Sequence, residues 1–371
     1  GIFHMTKSIK KLIVNFDPSQ VFIKIPLSSD FEKKYSLKPI ILPKNKNPSY
    51  LLQKSFENRN ILTRKPFLYS VKNAHAYGHS NLISRPDLHT SFFGLVFNIN
   101  KHKIFGKEQN RFQSLSDGIE VTYENTLNFK NGIFIGGSDN FGHWLFNCIG
   151  RLNYLEFLEE KIPIVIHDYM PQRFIDCISY FAKENPIIKL PANTLCVFEN
   201  LFVGTSSWYV DDKSVHWWSD SAVNFLNEHF TKNKLSTNNK SIYLSRKYTN
   251  WRRVFNEDLI IKKLKELNFE IIYIEKLSIE EQIALALNSN TIVSPLGASE
   301  CLYLFASKGT KCLTLMPNIC SPMFLSELYC GPLDHPHKSI IGSTIKSENT
   351  SINSDYYIDD NVDWKKILLD M

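Results

Sequence analysis

Strand and helix patterns alternate from Ser241 to Pro317, and this alternation constrains the fold of the chain more than any other feature. Amphipathic segments of roughly a dozen residues separate the short apolar and β-branched runs at 241–245, 270–274, 291–295 and 311–316. Strands connected in this way pair in parallel through right-handed crossovers. The stretch therefore predicts a doubly wound α/β sheet whose ligand lies outside the carboxyl ends of its strands.

Cations follow the first of these strands directly: Arg246, Lys247, Arg252 and Arg253. A guanidinium group presents forked donors that match two phosphate oxygens and neutralise their charge. The alternative is a solvated surface turn, and spacing alone does not say which cation would bind. Their position after a parallel strand favours an anionic, phosphate-bearing ligand.

The third strand ends in a tight turn of small residues, Gly297-Ala298-Ser299, which opens the next helix. Residues this small let the backbone approach a ligand closely. Glu300 follows, and its carboxylate would either hold sugar or ribose hydroxyls or complement the dipole of the helix. The turn extends the predicted ligand site, and the role of Glu300 stays open between these two interpretations.

A second α/β region begins at Gly132, where a strand and a Gly-rich turn precede a helix predicted over Gly142–Leu158. His143 lies at the start of this helix. Because an imidazole pKa lies near neutrality and the amino end of a helix helps to keep the ring unprotonated, His143 is a candidate general base. Asn147 and Arg151 follow at intervals of four on one helical face. The alternative is a histidine hydrogen-bonded within a core turn.

Weaker patterns complete the predicted architecture. From residue 5 to about residue 131, short β-rich runs alternate with Pro- and Asn-rich turns, which predicts a leading β subdomain. Other predicted elements are strands at Thr194–Phe198 and Asn200–Gly204, and helices at Val215–Phe230, Ser321–Leu328 and Val362–Leu369. The polar segment Thr231–Lys240 is the clearest linker.

The length of 371 residues fits two domains. The predicted N-terminal domain covers residues 5–235, with the β subdomain at 5–131 and an α/β part at 132–230. The predicted C-terminal domain covers residues 240–345, and a tail with a short helix covers 346–371. The cleft between two α/β domains is the natural position for an active site.

Charge and cysteine content exclude several classes of protein. The net charge of +6 is mild and no dense Lys/Arg block is present, so nucleic acid is not a predicted partner. Seven cysteines without paired spacing indicate a reducing compartment, and no apolar run is long enough to span a bilayer. We therefore expect a cytoplasmic protein, with a position at the inner face of the cytoplasmic membrane left open.

Several common cofactor and nucleophile motifs are missing from the sequence. It contains no Walker loop, no Gly-x-Gly-x-x-Gly and no Gly-x-Ser-x-Gly elbow. The adjacent acids Asp211-Asp212 and Asp359-Asp360 lack the one-residue spacing of a metal-binding Asp-x-Asp pair. Neither a metal nor a cofactor is therefore predicted.

An ordered series of motifs resembles glycosyltransferase family 61. Asn140-Phe141-Gly142-His143-Trp144-Leu145 and Arg151-Leu152 are similar to the Asn-x-x-His-Trp … Arg-Leu segment of that family. The resemblance covers roughly residues 130–317 and continues through Leu244-Ser245-Arg246, Arg252-Arg253, Asn256-Glu257, Leu277-Ser278, Gln282, Ile292–Pro295, Gly297-Ala298, Phe305 and Gly309.

The resemblance implies a GT-B architecture of two facing Rossmann-like domains with a cleft between them, in addition to the β subdomain. It also implies metal-independent, inverting transfer of a sugar from a nucleotide sugar to an oligosaccharide or lipid-linked glycan. Bacterial members are often associated with capsular polysaccharide biosynthesis, so we expect a role in capsule or lipopolysaccharide synthesis. The expected surroundings are a peripheral membrane position or a polysaccharide-assembly complex.

The roles that the resemblance implies for individual residues divide between the two domains. His143 would act as the base or position the acceptor hydroxyl. The acceptor side would include Asn140, Trp144, Asn147 and Arg151. The second domain would bind the donor phosphate through Arg246, Arg252, Arg253, Gly297, Ala298 and Ser299, and the donor sugar or ribose through Glu300 and Gln282.

Three positions depart from the family pattern. Leu296 stands where members often have His or Ser, Leu302 stands where Asn is common, and Glu300 replaces an apolar or small residue. These departures lie in the expected donor pocket, so the donor sugar is not carried over. The alternatives are a sugar-phosphate or pyruvyl transferase on the same scaffold, and a catalytically silent subunit that binds nucleotide or glycan.

Overall fold

In the computed structural model, the described residues are 10–15, 24–26, 34–36, 40–41, 60–63, 67–78, 82–85, 90–93, 112–114, 118–204, 207–210, 216–318, 329–344 and 353–371. Contacts divide the chain into two units. The first contains Gly1–Lys33 and Leu62–Ala222, and the second contains Lys34–Ile61 and Val223–Met371. Both units are mixed α/β structures that contain parallel strands.

The strands, in chain order, are β1 Lys10–Asn15, β2 Lys24–Pro26, β3 Lys34–Ser36, β4 Ile40–Ile41, β5 Asn60–Thr63, β6 Phe67–Tyr77, β7 Leu82–Arg85, β8 Thr90–Phe93, β9 Phe112–Ser114, β10 Gly118–Tyr123, β11 Asn125–Gly136, β12 Ile164–His167, β13 Ile187–Leu190, β14 Thr194–Gly204, β15 Trp208–Val210, β16 His216–Trp218, β17 Lys240–Leu244, β18 Glu270–Ile272, β19 Ser289–Pro295, β20 Lys311–Met316, β21 His337–Ile341, β22 Ser343–Thr344 and β23 Tyr356–Tyr357. The α-helices are Phe141–His143, Gln172–Ile175, Asp220–Thr231, Glu257–Glu266, Ile279–Leu287, Leu302–Phe305 and Trp364–Leu369. Shorter helical turns are Trp144–Cys148, Ile149–Phe157, Asp176–Tyr180, Ile274–Lys276 and Ala298–Cys301.

One sheet organises the first unit, in the order β13-β12-β11-β14-β6-β7-β8-β1-β10-β9, with β2 beside β6. The strands β11 to β14 are parallel, whereas β6 joins β14 in antiparallel register. The predicted β subdomain (5–131) and the predicted α/β part (132–230) therefore share one sheet, because the backbone of β6 pairs with that of β14. Apolar residues of β6, β11, β12 and β14 form its core, among them Phe134, Val165 and Phe198.

The helix predicted over Gly142–Leu158 is present but irregular. One α-helical turn, Phe141–His143, passes into a π-helical turn, Trp144–Cys148, and then into a 3-10 segment, Ile149–Phe157. Its apolar face packs inward, since Leu145, Ile149 and Leu152 are buried and Leu155 is half-buried. A π-helical turn changes the direction of the side chains that follow it, and such turns occur frequently at functional sites.

Two element predictions in the first unit need correction. The strands predicted at 194–198 and 200–204 are one continuous strand, β14. Asn200 is accommodated within this strand because its side chain accepts a hydrogen bond from the Ser70 hydroxyl at 2.7 Å. The helix predicted over 215–230 starts later, at Asp220, because residues 216–218 form β16. The helix predicted at 321–328 lies outside the described residues.

A parallel sheet organises the second unit, in the order β18-β17-β19-β20-β21-β4. All of its pairings are parallel, as the alternating sequence pattern predicts. The spacing of Ser278 and Glu281 is that of a capping box, and both of its hydrogen bonds are present at the start of the helix Ile279–Leu287. Asn256 precedes the helix Glu257–Glu266 but makes no cap hydrogen bond, because its amide pairs with the Ile358 backbone instead.

This strand order has one switch point. From β17 the chain crosses to β18 on one side, and from β18 it crosses to β19 on the other side of β17. Connections that leave in opposite directions open a crevice at the carboxyl ends of the two inner strands, which is where α/β sheets bind ligands. In this unit the switch point lies between the ends of β17 and β19, next to Arg246 and Gly297.

The end of the chain packs onto the same unit. Residue Tyr356 bridges to Val254, and Tyr356, Ile358 and Trp364 join the core beneath the helix Glu257–Glu266. The start of the unit includes the helix Asp220–Thr231, whose Asn227 side chain donates to the carbonyls of Leu304 and Ala306. Among the described residues, no helix is both long and apolar enough to cross a membrane.

Candidate functional site

Gly297 forms the turn after β19 in a conformation that favours glycine. Its φ of 150° and ψ of −164° fall in a region that other residues rarely adopt. A Cβ placed there would lie 2.5 Å from Nη1 of Arg246 and 3.7 Å from Nη1 of Arg252. The missing side chain therefore lets two guanidinium groups lie against the backbone at the switch point.

Arg246 is held rigidly in this position. Its Nε donates to the Arg252 carbonyl and its Nη2 donates to the Trp251 carbonyl, both at 2.9 Å. The group is buried, and burial lowers its pKa from the ordinary arginine value. No described residue accepts a hydrogen bond from Nη1, the atom that lies over Gly297. The arginine thus presents a fixed donor and a positive charge at the switch point.

Glu257 braces the strand end that carries Arg246. Its carboxylate accepts hydrogen bonds from the Tyr243 hydroxyl at 2.8 Å, the Ser245 hydroxyl at 2.5 Å and the Arg246 backbone N–H at 3.0 Å. A carboxylate at the start of a helix also complements the helix dipole. Glu257 therefore ties the end of β17 to the following helix and limits the positions that Arg246 can take.

Arg252 also lies against Gly297. Its Nη1 donates to the Leu296 carbonyl at 3.3 Å, and its backbone has a φ of 51°. Asn353 holds it from the C-terminal segment, because the Arg252 N–H donates to the Asn353 carbonyl at 2.8 Å and Nη2 donates to the Asn353 amide oxygen at 3.0 Å. Two arginines with different supports therefore converge on one glycine.

Arg253 is placed differently from its neighbours. Its guanidinium is 56% exposed and forms an ion pair with Asp355 at 3.0 Å. The Arg253 backbone N–H also donates to Asp355, at 2.7 Å. Lys247 is exposed, with its ammonium 5.7 Å from the centre of the Tyr248 ring. Neither side chain is brought to Gly297, so the structure separates Arg246 and Arg252 from the other predicted cations.

Glu300 lies in the interior, beneath the turn. It is 0% exposed, and no described residue gives either carboxylate oxygen a hydrogen bond of normal geometry. Burial raises the pKa of Glu300 from 4.5 to about 8, although the charges of Arg252 and Arg246 oppose this shift. Such burial does not suit direct contact with sugar or ribose hydroxyls.

The remaining predicted donor-side residues make local contacts. The Ser299 hydroxyl is buried and lies 2.9 Å from the Ser294 hydroxyl. The Gln282 amide donates to the Leu277 carbonyl at 3.3 Å, within the loop before its own helix. Ala298 starts the 3-10 turn that follows Gly297. None of these contacts involves the arginines, which lie against Gly297.

In the first unit, His143 is oriented by Asn147. Its Nδ1 lies 2.7 Å from the Asn147 amide oxygen, which only accepts hydrogen bonds. Nδ1 must therefore carry the proton, and Nε2 of the neutral ring is left with a lone pair. The Asn140 side chain accepts from the His143 backbone N–H at 3.2 Å and caps the helix. This arrangement suits a base that accepts a proton at Nε2.

The other predicted acceptor-side residues are structural in their contacts. Trp144 is fully buried, and its indole N–H donates to the Phe174 carbonyl at 2.8 Å. Arg151 is also fully buried and donates to the carbonyls of Asn147 and Gly204. These contacts fix the π-helical turn and hence the Asn147 side chain, so both residues support His143 indirectly.

Sequence reasoning missed three residues that shape the arginine site. Glu257 belonged to the family motif but had no role assigned to it. Asn353 and Asp355 lie about 100 positions from the arginines that they bind, with separations of 101 and 102 for the bonded pairs. No local periodicity marks such residues. Only a signal that couples distant positions would have identified them.

Among the described residues, no group of three or more His, Cys, Asp or Glu side chains is placed to hold a metal ion.

Part of the chain matches a known protein family. Residues 141–313 match the family model described as Glycosyltransferase 61. No curated protein matches the chain significantly. The matched region contains His143, Arg246, Arg252 and Gly297, and it ends before the C-terminal segment that carries Asn353. Residues 141–313 therefore contain a glycosyltransferase 61 domain, and this domain supports a glycosyltransferase enzyme.

Proposed function

We propose that the protein is an inverting, metal-independent glycosyltransferase that moves a sugar from a nucleotide sugar to a glycan acceptor. We further propose that the product is a bacterial surface polysaccharide, capsule or lipopolysaccharide. The observation that carries the proposal is the convergence of Arg246 and Arg252 on Gly297 at the switch point of a parallel sheet. The family match supports the enzyme class, and the donor class is our inference from the two cations.

In the proposed reaction, the acceptor hydroxyl oxygen attacks the anomeric carbon while the bond from that carbon to the phosphate oxygen breaks. Nε2 of His143 accepts the hydroxyl proton. The Asn147 amide oxygen stabilises the resulting imidazolium by accepting a hydrogen bond from its Nδ1–H. The nucleoside diphosphate leaves with additional negative charge, or a monophosphate leaves if the sugar is CMP-linked. Arg246 and Arg252 stabilise that charge, and such preorganised stabilisation is often the largest catalytic contribution.

The other predicted residues take supporting roles in the proposal. The backbone at Gly297 and Ala298 faces the phosphate, and Ser299 holds the turn through Ser294. Gln282 remains our candidate for the donor sugar, and Asn140 remains our candidate on the acceptor side. The GT-B arrangement, a cytoplasmic location and a place in a membrane-associated assembly complex remain predictions from the resemblance.

The proposal is tested first by ligand binding. Thermal-shift screening of UDP, GDP, CMP and dTDP should identify a nucleotide that stabilises the protein, because a ligand that binds only the native state raises its stability. Transfer from the matching nucleotide sugar is then measured with glycan acceptors. Stabilisation without transfer to any acceptor would contradict the enzyme and favour the silent nucleotide-binding subunit.

A matched pair of variants assigns the binding to the arginines. Arg246→Lys should keep the charge but lose the forked donor, and turnover should fall on the order of 10²–10³, as for a lost oxyanion donor. Lys247→Ala removes the adjacent, exposed cation and should leave nucleotide binding unchanged. Equal effects of the two changes would show that the basic turn acts only as a diffuse positive surface.

A further inference from the structure

The carboxyl group of Glu300 is the least satisfied buried polar group near the arginine site. Both of its oxygens are buried, and neither receives a hydrogen bond of normal geometry from a described residue, although the Gly297 backbone and the Thr314 side chain are close enough to lower its pKa. Buried polar groups are nearly always paired, because an unpaired one loses its hydration without compensation. An ionised carboxylate in this position would be more costly still. Its environment therefore favours the neutral acid.

The charged and titratable groups that face Glu300 come from several elements. Arg246 and Arg252 approach from the loop after β17, and Thr314 approaches from β20. Tyr303, from the helix Leu302–Phe305, and Tyr329 also interact with it electrostatically. Burial holds the pKa of both tyrosines well above the ordinary value. Glu300 is therefore the acid in this group that changes charge near neutral pH.

We infer that Glu300 is the charge-balancing partner of the anion site, and that it takes up a proton from solvent when a phosphate group binds Arg246 and Arg252. The inference rests on the proposed function only in using these two arginines as the phosphate site. It assigns Glu300 a role that differs from sugar or ribose binding, because the carboxyl group acts through the arginines without touching the ligand.

The direction of the proton transfer follows from charge. In the ligand-free protein, the two guanidinium groups stabilise ionised Glu300 and keep its pKa from rising further than about 8. A bound phosphate adds negative charge beside the same guanidinium groups. A like charge disfavours ionisation, so the pKa of Glu300 rises above its ligand-free value. The ionised fraction of Glu300 then binds a proton as the phosphate arrives.

This linkage makes anion affinity depend on pH. Below about pH 8, Glu300 is already neutral and both arginines are available to the phosphate. Above that pH, binding must also protonate Glu300, so affinity should fall by up to about tenfold per pH unit. The affinity continues to fall until the pH exceeds the pKa that Glu300 has in the ligand-bound protein. Glu300 thereby limits tight phosphate binding to neutral and acidic pH.

The test is calorimetry on the full chain with two probes, UDP and inorganic pyrophosphate. Binding heats measured in buffers of different ionisation enthalpy give the number of protons taken up. We expect roughly half a proton at pH 8 and more at pH 9 for the unaltered protein. Glu300→Gln should remove this uptake, and its residual value gives the proton change of the probe itself. Glu275→Gln removes an exposed carboxylate that also interacts with Arg246, and it should retain the uptake.

The outcomes separate this inference from the proposed function. UDP binding with the same proton uptake in the protein and in Glu300→Gln overturns the inference and leaves the nucleotide-sugar proposal standing. Pyrophosphate binding with Glu300-dependent uptake, but no binding of UDP, GDP, CMP or dTDP, supports the inference and counts against a nucleotide donor. Failure of every probe to bind contradicts both.

A ligand-free measurement checks the starting state. Infrared difference spectra between the protein and Glu300→Gln should show the C=O band of a protonated carboxylic acid at pH 7, and the band should disappear well above pH 8. A carboxylate band at pH 7 in its place would overturn the inference without reference to any ligand.

Discussion

At His143, one hydrogen bond decides which ring nitrogen is available for chemistry. The Asn147 amide oxygen accepts a hydrogen bond from Nδ1–H of His143, so Nε2 is the ring nitrogen that can accept a proton. His143→Ala should therefore lower transfer by about 10²–10⁴, the usual contribution of a general base, and leave nucleotide affinity nearly unchanged. Steady-state kinetics and nucleotide titration measure the two effects.

His229→Ala is the matched control for this change. His229 is also half-buried, but its Nδ1 contacts the Phe225 carbonyl within its own helix, so transfer should be unaffected. If His143→Ala abolishes nucleotide binding while transfer per bound donor survives, His143 is not the base.

At Gly297, an added methyl group would meet Arg246 directly. Gly297→Ala places a Cβ 2.5 Å from Nη1 of Arg246 and strains a φ of 150°. We expect a loss of stability of about 1–3 kcal/mol and a clear loss of nucleotide affinity. Urea denaturation measures the loss of stability, and nucleotide titration measures the loss of affinity.

Gly309→Ala separates the strain from the contact. Gly309 also has a positive φ, 89°, but no atom of the described part of the chain lies within 4 Å of its added Cβ. This variant should lose stability and keep nucleotide affinity. Equal losses of affinity in both variants would mean that the effect at Gly297 comes from general destabilisation.

Glu300 also links stability to pH. Its folded pKa is about 8, raised from 4.5, so between these values the folded protein holds a proton that the unfolded chain releases. The stability contributed by this group is fully present below about pH 4.5 and is lost as the pH rises through about 8. Glu300→Gln should avoid this loss and gain a few kcal/mol relative to the protein across that window.

Urea denaturation at several pH values measures the difference between the two proteins. A difference in unfolding free energy that stays constant from pH 5 to pH 8 would contradict the pKa shift, since a linked proton must appear as a slope.

At the scale of elements, the C-terminal segment is part of the arginine site. Asn353 holds Arg252, Asp355 holds Arg253, and Tyr356 pairs with the backbone at Arg253 and Phe255. We define this group, 353–356, as the clasp. From the sequence pattern, these residues were predicted only as part of a C-terminal tail. In the structure, they determine the directions in which Arg252 and Arg253 point.

The clasp predicts different effects for its two polar side chains. Asn353→Ala removes the acceptor for Nη2 of Arg252, and nucleotide affinity should fall about fivefold, as expected for one net hydrogen bond. Asp355→Ala breaks an exposed ion pair with Arg253, so stability should change by less than about 1 kcal/mol and affinity should stay constant. Nucleotide titration of both variants is the measurement. A larger loss of affinity in Asp355→Ala would show that Arg253 is the ligand-binding arginine.

At the scale of the whole molecule, the second unit is assembled from two separate parts of the chain. The strand β21 pairs with β20 on one side and with β4, Ile40–Ile41, on the other. A fragment of residues 223–371 leaves that edge of β21 unpaired, and an exposed edge strand promotes association. We expect this fragment to be less stable than the full chain and to form oligomers.

Light scattering and urea denaturation test this expectation. A second fragment, in which residues 34–61 are joined to 223–371 by a flexible linker, restores β4 and should recover monomeric behaviour. A monomeric 223–371 fragment with the stability of the full chain would show that β4 contributes nothing to the fold of this unit.

Much of the second unit could be predicted from local patterns. The strands after Ser241, their parallel pairing and the capping box at Ser278 all follow from short-range periodicity and helix-start chemistry. The first unit was predicted less well. There, β6 joins β14 across a long separation, and a π-helical turn interrupts a segment whose pattern is helical throughout. Long-range pairing leaves no period in the sequence, so neither feature was visible.

By itself, the sequence determined that Arg246 and Gly297 lie at the same edge of one sheet, because parallel strands all end on the same side. Only the tertiary structure decided which arginines reach Gly297, since that depends on Asn353 and Asp355, more than 100 positions away. It also decided the state of Glu300. A carboxyl group that the sequence presents as a candidate ligand-binding group is fully buried, and burial rather than residue type determines its charge.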